Sequence, residues 1–191
     1  MELFVGTRHK IANLILSKKT ARIKRRVHYS NMKSIRKIGI VWDASKSEDF
    51  TSLSKFHQRM HERNIDVKII GYWAGDELPD RLTAIRFLSC IRKKELSFFY
   101  KPVSEESDAF INTNFDVLID VNFDKKFPLY YISSLSTASF KVGLFDSENN
   151  TSIFDLMMEL KKPVHVGNYL DQVVHYLEMI NSGTTKKVDK S

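Results

Sequence analysis

Apolar residues change their spacing along the chain, and the changes mark out the elements. From about Thr7 to Val27 the spacing is helical: Ala12, Leu16, Thr20, Ile23 and Val27 fall on one stripe, and Thr7 is a plausible N-cap. The first half of this arm is apolar on more than one side, because Ile11, Leu14 and Ile15 point elsewhere. Its second half is basic, with Lys18, Lys19, Arg22, Lys24, Arg25 and Arg26 crowding the remaining faces.

From Ile35 onward, strand-length apolar runs alternate with helical segments. Lys37–Trp42, ending in Asp43, predicts a first strand, and Ser45 with Glu48 predicts a capping box opening a helix to about Arg63. Asn64 is suited to terminate that helix, and Val67–Trp73 predicts the second strand. A short helix is expected around Asp80–Arg86. Phe87–Ile91 is ambiguous, and the aromatic run Leu96–Tyr100 is the expected third strand. Ser104 opens another helix, Phe115–Asp120 is the strongest central-strand signal, and Phe127–Thr137 is a helix with Pro128 in its first turn. Phe140–Phe145 makes a fifth strand, Ile153–Leu160 an edge strand and Asn168–Met179 a last helix. This alternation predicts one Rossmann-like α/β domain, a mostly parallel sheet of order 3-2-1-4-5 with the edge strand beyond the fifth, covered on both faces. The expected division is a basic helical arm over 1–34, the α/β domain over 35–182 and a disordered tail over 183–191.

Charge sharpens this picture. Up to Lys37 the chain carries eleven Lys or Arg and one acid, +10, whereas the remainder carries −3, so the net +7 belongs to the arm. Such asymmetry points to a polyanionic partner. No apolar stretch approaches a membrane span, the N-terminus lacks signal-peptide features, and the single cysteine, Cys90, excludes an intramolecular disulfide; the cytoplasm is the expected location. Cys90 lies in an apolar run without an activating neighbour, so it is expected to be a small buried hydrophobe.

The series Phe115–Asp120, Tyr131–Ala138, Lys141-Val142-Gly143 and Asn168–Leu177 resembles the N-terminal Rossmann-like domain of heptosyltransferase-type glycosyltransferases. A closer resemblance, from the basic arm through Ile180, is to a family of short bacterial proteins known only as a domain of unknown function. It rests on Ile38-Gly39-Ile40, Asp43-Ala44, Glu48-Asp49-Phe50 and Glu77-Leu78-Pro79. The first resemblance implies a glycosyltransferase-like half-domain that binds a sugar or phosphate ligand at the strand C-termini. The second implies the fold and no activity.

Candidate chemistry follows from position. Asp43, Asp120 and Asp146 end predicted strands, where open α/β sheets bind ligands, and Asp43 and Asp120 flank the point where strand order reverses. With Ser45 and Asn122 they form the candidate ligand site; Mg²⁺ could be held there with Asn122 or Asp124 assisting, but the reading with more weight is that each Asp caps the helix or turn after it. His57 and His61 have metal-ligand spacing but sit at the apolar stripe of their helix, and like His175 they are expected to be packing residues; no metal site is assigned. Neither a glycine-rich phosphate loop nor a nucleophile elbow is present, and no catalytic residue is assigned. The polyanion-binding candidates are Lys18, Lys19, Arg22, Lys24, Arg25 and Arg26, with His28 and Tyr29 available to stack on bases. The expected partner is RNA or a ribonucleoprotein such as the ribosome. An anionic membrane surface is the alternative, through Ile11, Leu14, Ile15 and Leu16, as is a protein partner at the apolar start of the arm.

Overall fold

The computed structural model describes residues 2–145 and 153–180; the expected tail and Asp146 lie outside the described residues. Elements follow in the order α1 (Glu2–Thr20), β1 (Lys37–Asp43), α2 (Phe50–Glu62), β2 (Asp66–Trp73), α3 (Asp80–Thr83), β3 (Leu88–Arg92), α4 (Glu105–Ile111), β4 (Val117–Asp120), α5 (Phe127–Leu135), β5 (Phe140–Leu144), β6 (Leu156–Met158) and α6 (Val166–Met179). All six strands are parallel, in the order β3-β2-β1-β4-β5-β6. This is the expected Rossmann-like arrangement, with the edge strand where it was placed.

Alternation along each strand builds two cores. Ile38, Ile40 and Trp42 of β1 join Val67, Ile69, Val117, Ile119, Phe140 and Val142 on one face, covered by Leu53, Phe56 and Met60 of α2 and by Tyr169, Leu170, Val173 and Leu177 of α6. The opposite face carries Val41, Ile70, Ile91 and Leu118 under Phe110 of α4 and Leu129 and Ile132 of α5. A parallel sheet needs both faces covered, because the crossovers return over them. Among the described residues, no helix is long and apolar enough to cross a membrane.

The α2 terminus shows how sequence fixes a boundary. Asn64 takes a left-handed φ of 58°, its N–H donates to His61 O at 2.9 Å, and the Ile65 N–H donates to Met60 O at 3.0 Å. These bonds form a Schellman cap, which Asn tolerates better than branched residues do.

Three expectations are corrected. The third strand is Leu88–Arg92, not Leu96–Tyr100. The aromatic run instead folds into a tight turn: the Ser97 N–H donates to Lys101 O at 2.8 Å, and Tyr100 has a φ of 58°, which no ladder accommodates. The capping box also does not form. A 3-10 turn over Ser47–Asp49 precedes α2, and no side chain caps it. Finally, the arm helix ends at Thr20, seven residues short of Val27, and the chain from Arg22 to Ser30 is irregular.

The arm is docked rather than free. Leu16 packs on Tyr131 and Leu135 of α5, with Ile23 beside them. The Arg8 guanidinium lies 4.2 Å from the Phe98 ring centroid and 4.4 Å from that of Tyr100, and His9 stacks on Tyr100 at 4.4 Å. The misassigned aromatic turn is thus the platform for the start of α1.

Gly39 of β1 packs closely against two aromatic rings. A Cβ there would sit 2.9 Å from the Phe115 ring and 3.0 Å from that of Phe110. Gly39→Ala is expected to lower stability by about 1–3 kcal/mol through overpacking, measured as a shift of the urea midpoint; an unchanged midpoint would show that these rings can retreat freely.

Candidate functional site: the switch-point crevice and the basic arm

Strand order reverses between β1 and β4, so their C-terminal ends stand side by side, with Val41 paired to Asp120. The two ends are built alike. Asp43 Oδ1 accepts the Ser45 N–H at 3.1 Å, and Asp120 Oδ1 accepts the Asn122 N–H at 2.7 Å. Each carboxylate therefore folds its own chain back two residues later. This is why Ser45 caps no helix: its backbone is held in the turn of Asp43. Asn122 repeats the device, its Oδ1 accepting the Lys126 N–H at 2.9 Å. Lys46 and Asp124 pair at 2.8 Å between the two loops, and Lys126 Nζ stands 4.0 Å from Asp43 Oδ2.

The remaining oxygen of Asp120 is also engaged, accepting from Ser133 Oγ of α5 at 2.6 Å. Burial pushes the Asp120 carboxyl up to about 7, against the lowering effect of those two hydrogen bonds. Ser133 links it to a second buried group. Lys141 of β5 donates through Nζ to Ser133 O at 2.7 Å and Ser134 O at 3.1 Å, last-turn carbonyls of α5. Burial, and then the nearby Arg25, lower this lysine to about 7. The neighbouring Tyr169 hydroxyl is buried without a hydrogen-bond partner; burial and then Asp120 drive it well above its usual range. Sequence reasoning passed over Lys141 and Tyr169. A single lysine inside an apolar strand was the available signal for the first; Tyr169 offered none.

The crevice thus brings Asp43, Ser45, Asp120 and Asn122 together as expected, while most of their polar atoms hold the two turns. Among the described residues, no group of three or more His, Cys, Asp or Glu is placed to hold a metal ion. An ion such as Mg²⁺ takes near-octahedral oxygen coordination, whereas both Asp120 oxygens are already committed here.

The basic residues separate into two kinds. Arg25 turns inward and forms a two-pronged pair with Asp155 at 2.6 and 2.7 Å, its side chain 16% exposed. It also donates to Ala138 O at 3.2 Å. This side chain clamps the arm to the segments that enter β5 and β6 and turns away from the surface, unlike the exposed cations with which the sequence grouped it. Lys19 donates to the Tyr131 hydroxyl at 3.0 Å while remaining exposed. Lys18, Arg22, Lys24 and Arg26 are exposed and form no ion pair among the described residues. His28 is exposed, and Tyr29 leans on Phe140 with ring centroids 5.2 Å apart.

His57 and Cys90 are partly buried, whereas His61 and His175 are exposed. His57 stacks on Phe87 at 3.8 Å, and burial, then His61, lowers its pKa. Burial, then Glu95, pushes the Cys90 thiol up to about 12, far from a nucleophile's range.

Two substitutions separate these roles. Arg25→Ala is expected to cost about 3 kcal/mol, because it leaves Asp155 half-buried and unpaired, read as the urea midpoint; a loss below about 0.5 kcal/mol would make the clamp a surface pair. For Asp120, the folded pKa lies above the reference of 3.8, so the folded state holds an extra proton between about pH 4 and 7. Its contribution to stability therefore falls as pH rises through that window. Asp120→Asn is expected to remove up to about 4 kcal/mol of that decline, measured by urea unfolding at pH 4, 5.5 and 8; parallel profiles for variant and wild type would show an ordinary carboxyl.

No curated protein matches the chain. A family model does, over residues 8–180, which take in most of the docked arm and the whole six-stranded sheet. The chain therefore belongs to DUF6913, a family of unknown function.

Proposed function

We propose that this protein is a binding protein without catalytic activity, whose basic arm docks on RNA or a ribonucleoprotein. The observation that carries this reading is the set of exposed cations at Lys18, Arg22, Lys24 and Arg26, without an ion pair among the described residues, on a stretch whose inward residues, Ile23 and Arg25, are fixed to the domain. The Arg25 clamp and the bond from the His28 N–H to Ser139 O, 3.0 Å, hold this stretch in place. Cations held in place beforehand lose less freedom on binding, and each phosphate they neutralise releases counterions. At the crevice, the Asp43 and Asp120 carboxylates among the described residues are engaged in holding the loops.

A second reading is favoured by a separate observation. The face of α1 turned away from the domain exposes Phe4, Ile11 and Leu14, at 75%, 38% and 55%, close in sequence to Lys10 and Lys18. Such a stripe suits the interface of an anionic membrane. Leu16 does not take part, since it packs on Tyr131 and Leu135 of α5.

The test keeps the arm in place, because deleting it would uncover Tyr131 and Leu135 and break the Arg25–Asp155 pair. Tagged wild type and the variant K18Q/R22Q/K24Q/R26Q are sedimented from lysate, with and without RNase. The wild type is expected to travel with RNA particles and return to the top after RNase, and the variant to stay at the top. Its log–log salt dependence of binding to single-stranded RNA is expected to be shallower by about 2.8. Wild type remaining at the top as free protein would sink the RNA reading. Flotation with phosphatidylserine vesicles, abolished by F4S/L14S, would establish the membrane reading instead.

A further inference from the structure

The chain after the arm runs along the N-terminal edge of the sheet, opposite the crevice. It passes β5, where His28 bonds to Ser139, reaches the end of α6, where the Met32 N–H donates to Leu177 O, and enters β1, where the Arg36 and Lys37 N–H groups both donate to Asp116 Oδ2. Between this segment and the ends of α2 and α6 lies a cleft of about 420 Å³. Its size falls in the range of small-molecule sites. Met32 and Ile65 give it apolar wall, and Lys33, Arg36 and Arg63 give it three cations against one acid, Glu178.

We infer that this cleft binds a phosphate ester, the phosphate between Arg36, Arg63 and Lys33 and an apolar ring against Met32 and Ile65. The cations are positioned in advance. Arg36 Nη1 donates to Lys33 O and Ile35 O, each at 3.0 Å, which leaves Nε and Nη2 for a ligand. Arg63 Nη1 donates to Glu178 Oε1 at 2.8 Å, which leaves its other guanidinium nitrogens. Lys33 is exposed, and its ammonium forms no ion pair among the described residues. Carbonyls at the end of α6 would repel an anion, but Asn31 Nδ2 donates to Glu178 O and Ile180 O and so masks them. The guanidinium fork suits phosphate oxygens in pairs. Arg26 precedes Lys33 by seven residues on the same segment, which makes the cleft the next cationic site along the chain for a strand bound by the arm. That link rests on the RNA reading; the cleft's own chemistry does not.

The test uses full-length protein with two probes, a ten-nucleotide oligouridylate and uridine monophosphate. The variant K33Q/R63Q spares Arg36, whose bonds shape the backbone, and its melting temperature is checked against wild type. Oligouridylate affinity is expected to fall about tenfold, with the log–log salt slope shallower by about 1.4. A loss confined to the oligonucleotide identifies a polynucleotide strand as the ligand, and a loss for uridine monophosphate as well identifies a free phosphate ester. Unchanged affinity for both probes, or no binding of either by wild type, overturns the proposal. K18Q/R22Q/K24Q/R26Q run in parallel keeps the two ideas apart: full binding by that variant with loss in K33Q/R63Q removes the arm reading and leaves the cleft.

Discussion

The structure depends on the burial of α5 on two opposite sides. Its sequence, Phe127 to Leu135, contains no charged residue, and Pro128, Leu129, Tyr131, Ile132, Ser133, Ser134 and Leu135 are all buried. The sheet takes Leu129 and Ile132, while Tyr131 and Leu135 face outward and need a second cover. A helix apolar all round belongs inside a protein, and α1 puts it there. The basic arm is thereby part of the fold, and its cations are presented by a docked helix and a clamped segment.

The same helix organises the buried polar groups. Ser133 accepts a hydrogen bond from Lys141 at its carbonyl and donates one from its hydroxyl to Asp120, so a strand end, a helix terminus and a neighbouring strand share one residue. Both ionisable groups are moved toward neutrality by burial, Asp120 upward and Lys141 downward, each to about 7. Their effects on stability run in opposite directions with pH. Asp120 contributes less as pH rises from about 4 to 7, and Lys141 contributes more as pH rises from about 7 to 10.5, because the unfolded lysine then carries the proton that the folded one lacks.

The two edges of the sheet differ in character. At the C-terminal edge, paired Asx turns close the switch point and leave few free polar atoms. At the N-terminal edge, the segment from Arg22 to Lys37 collects cations and is fixed by main-chain bonds to Ser139, Leu177 and Asp116. Fold analogy directs attention to the first edge, where open sheets bind ligands. The exposed cations without an ion pair among the described residues lie at the second, whereas the unpartnered Tyr169 hydroxyl near the first is buried.

How much was legible in the sequence follows from the range of each interaction. Alternating apolar residues, with helices between them, determined the parallel sheet, its order and the cap at Asn64, because these depend on neighbours in the chain. The placing of Asp43 and Asp120 on adjacent strand ends at the switch point followed from that order. Local pattern failed where a distant partner decided the outcome. Leu96–Tyr100 has strand composition, yet a tight turn closed by Ser97 and Lys101 makes it a seat for Arg8, and the ladder to β2 is taken by Leu88–Arg92. Ser45 and Glu48 have capping-box spacing, yet Asp43 claims the Ser45 N–H first. Arg25 is indistinguishable in sequence from Lys24 and Arg26, and only Asp155, 130 residues away, turns it inward. The sequence by itself determined the fold class and the excess of positive charge in the arm. Tertiary structure alone decided which of those charges are spent on the fold and which remain free, because that choice is made by contacts no local spacing records.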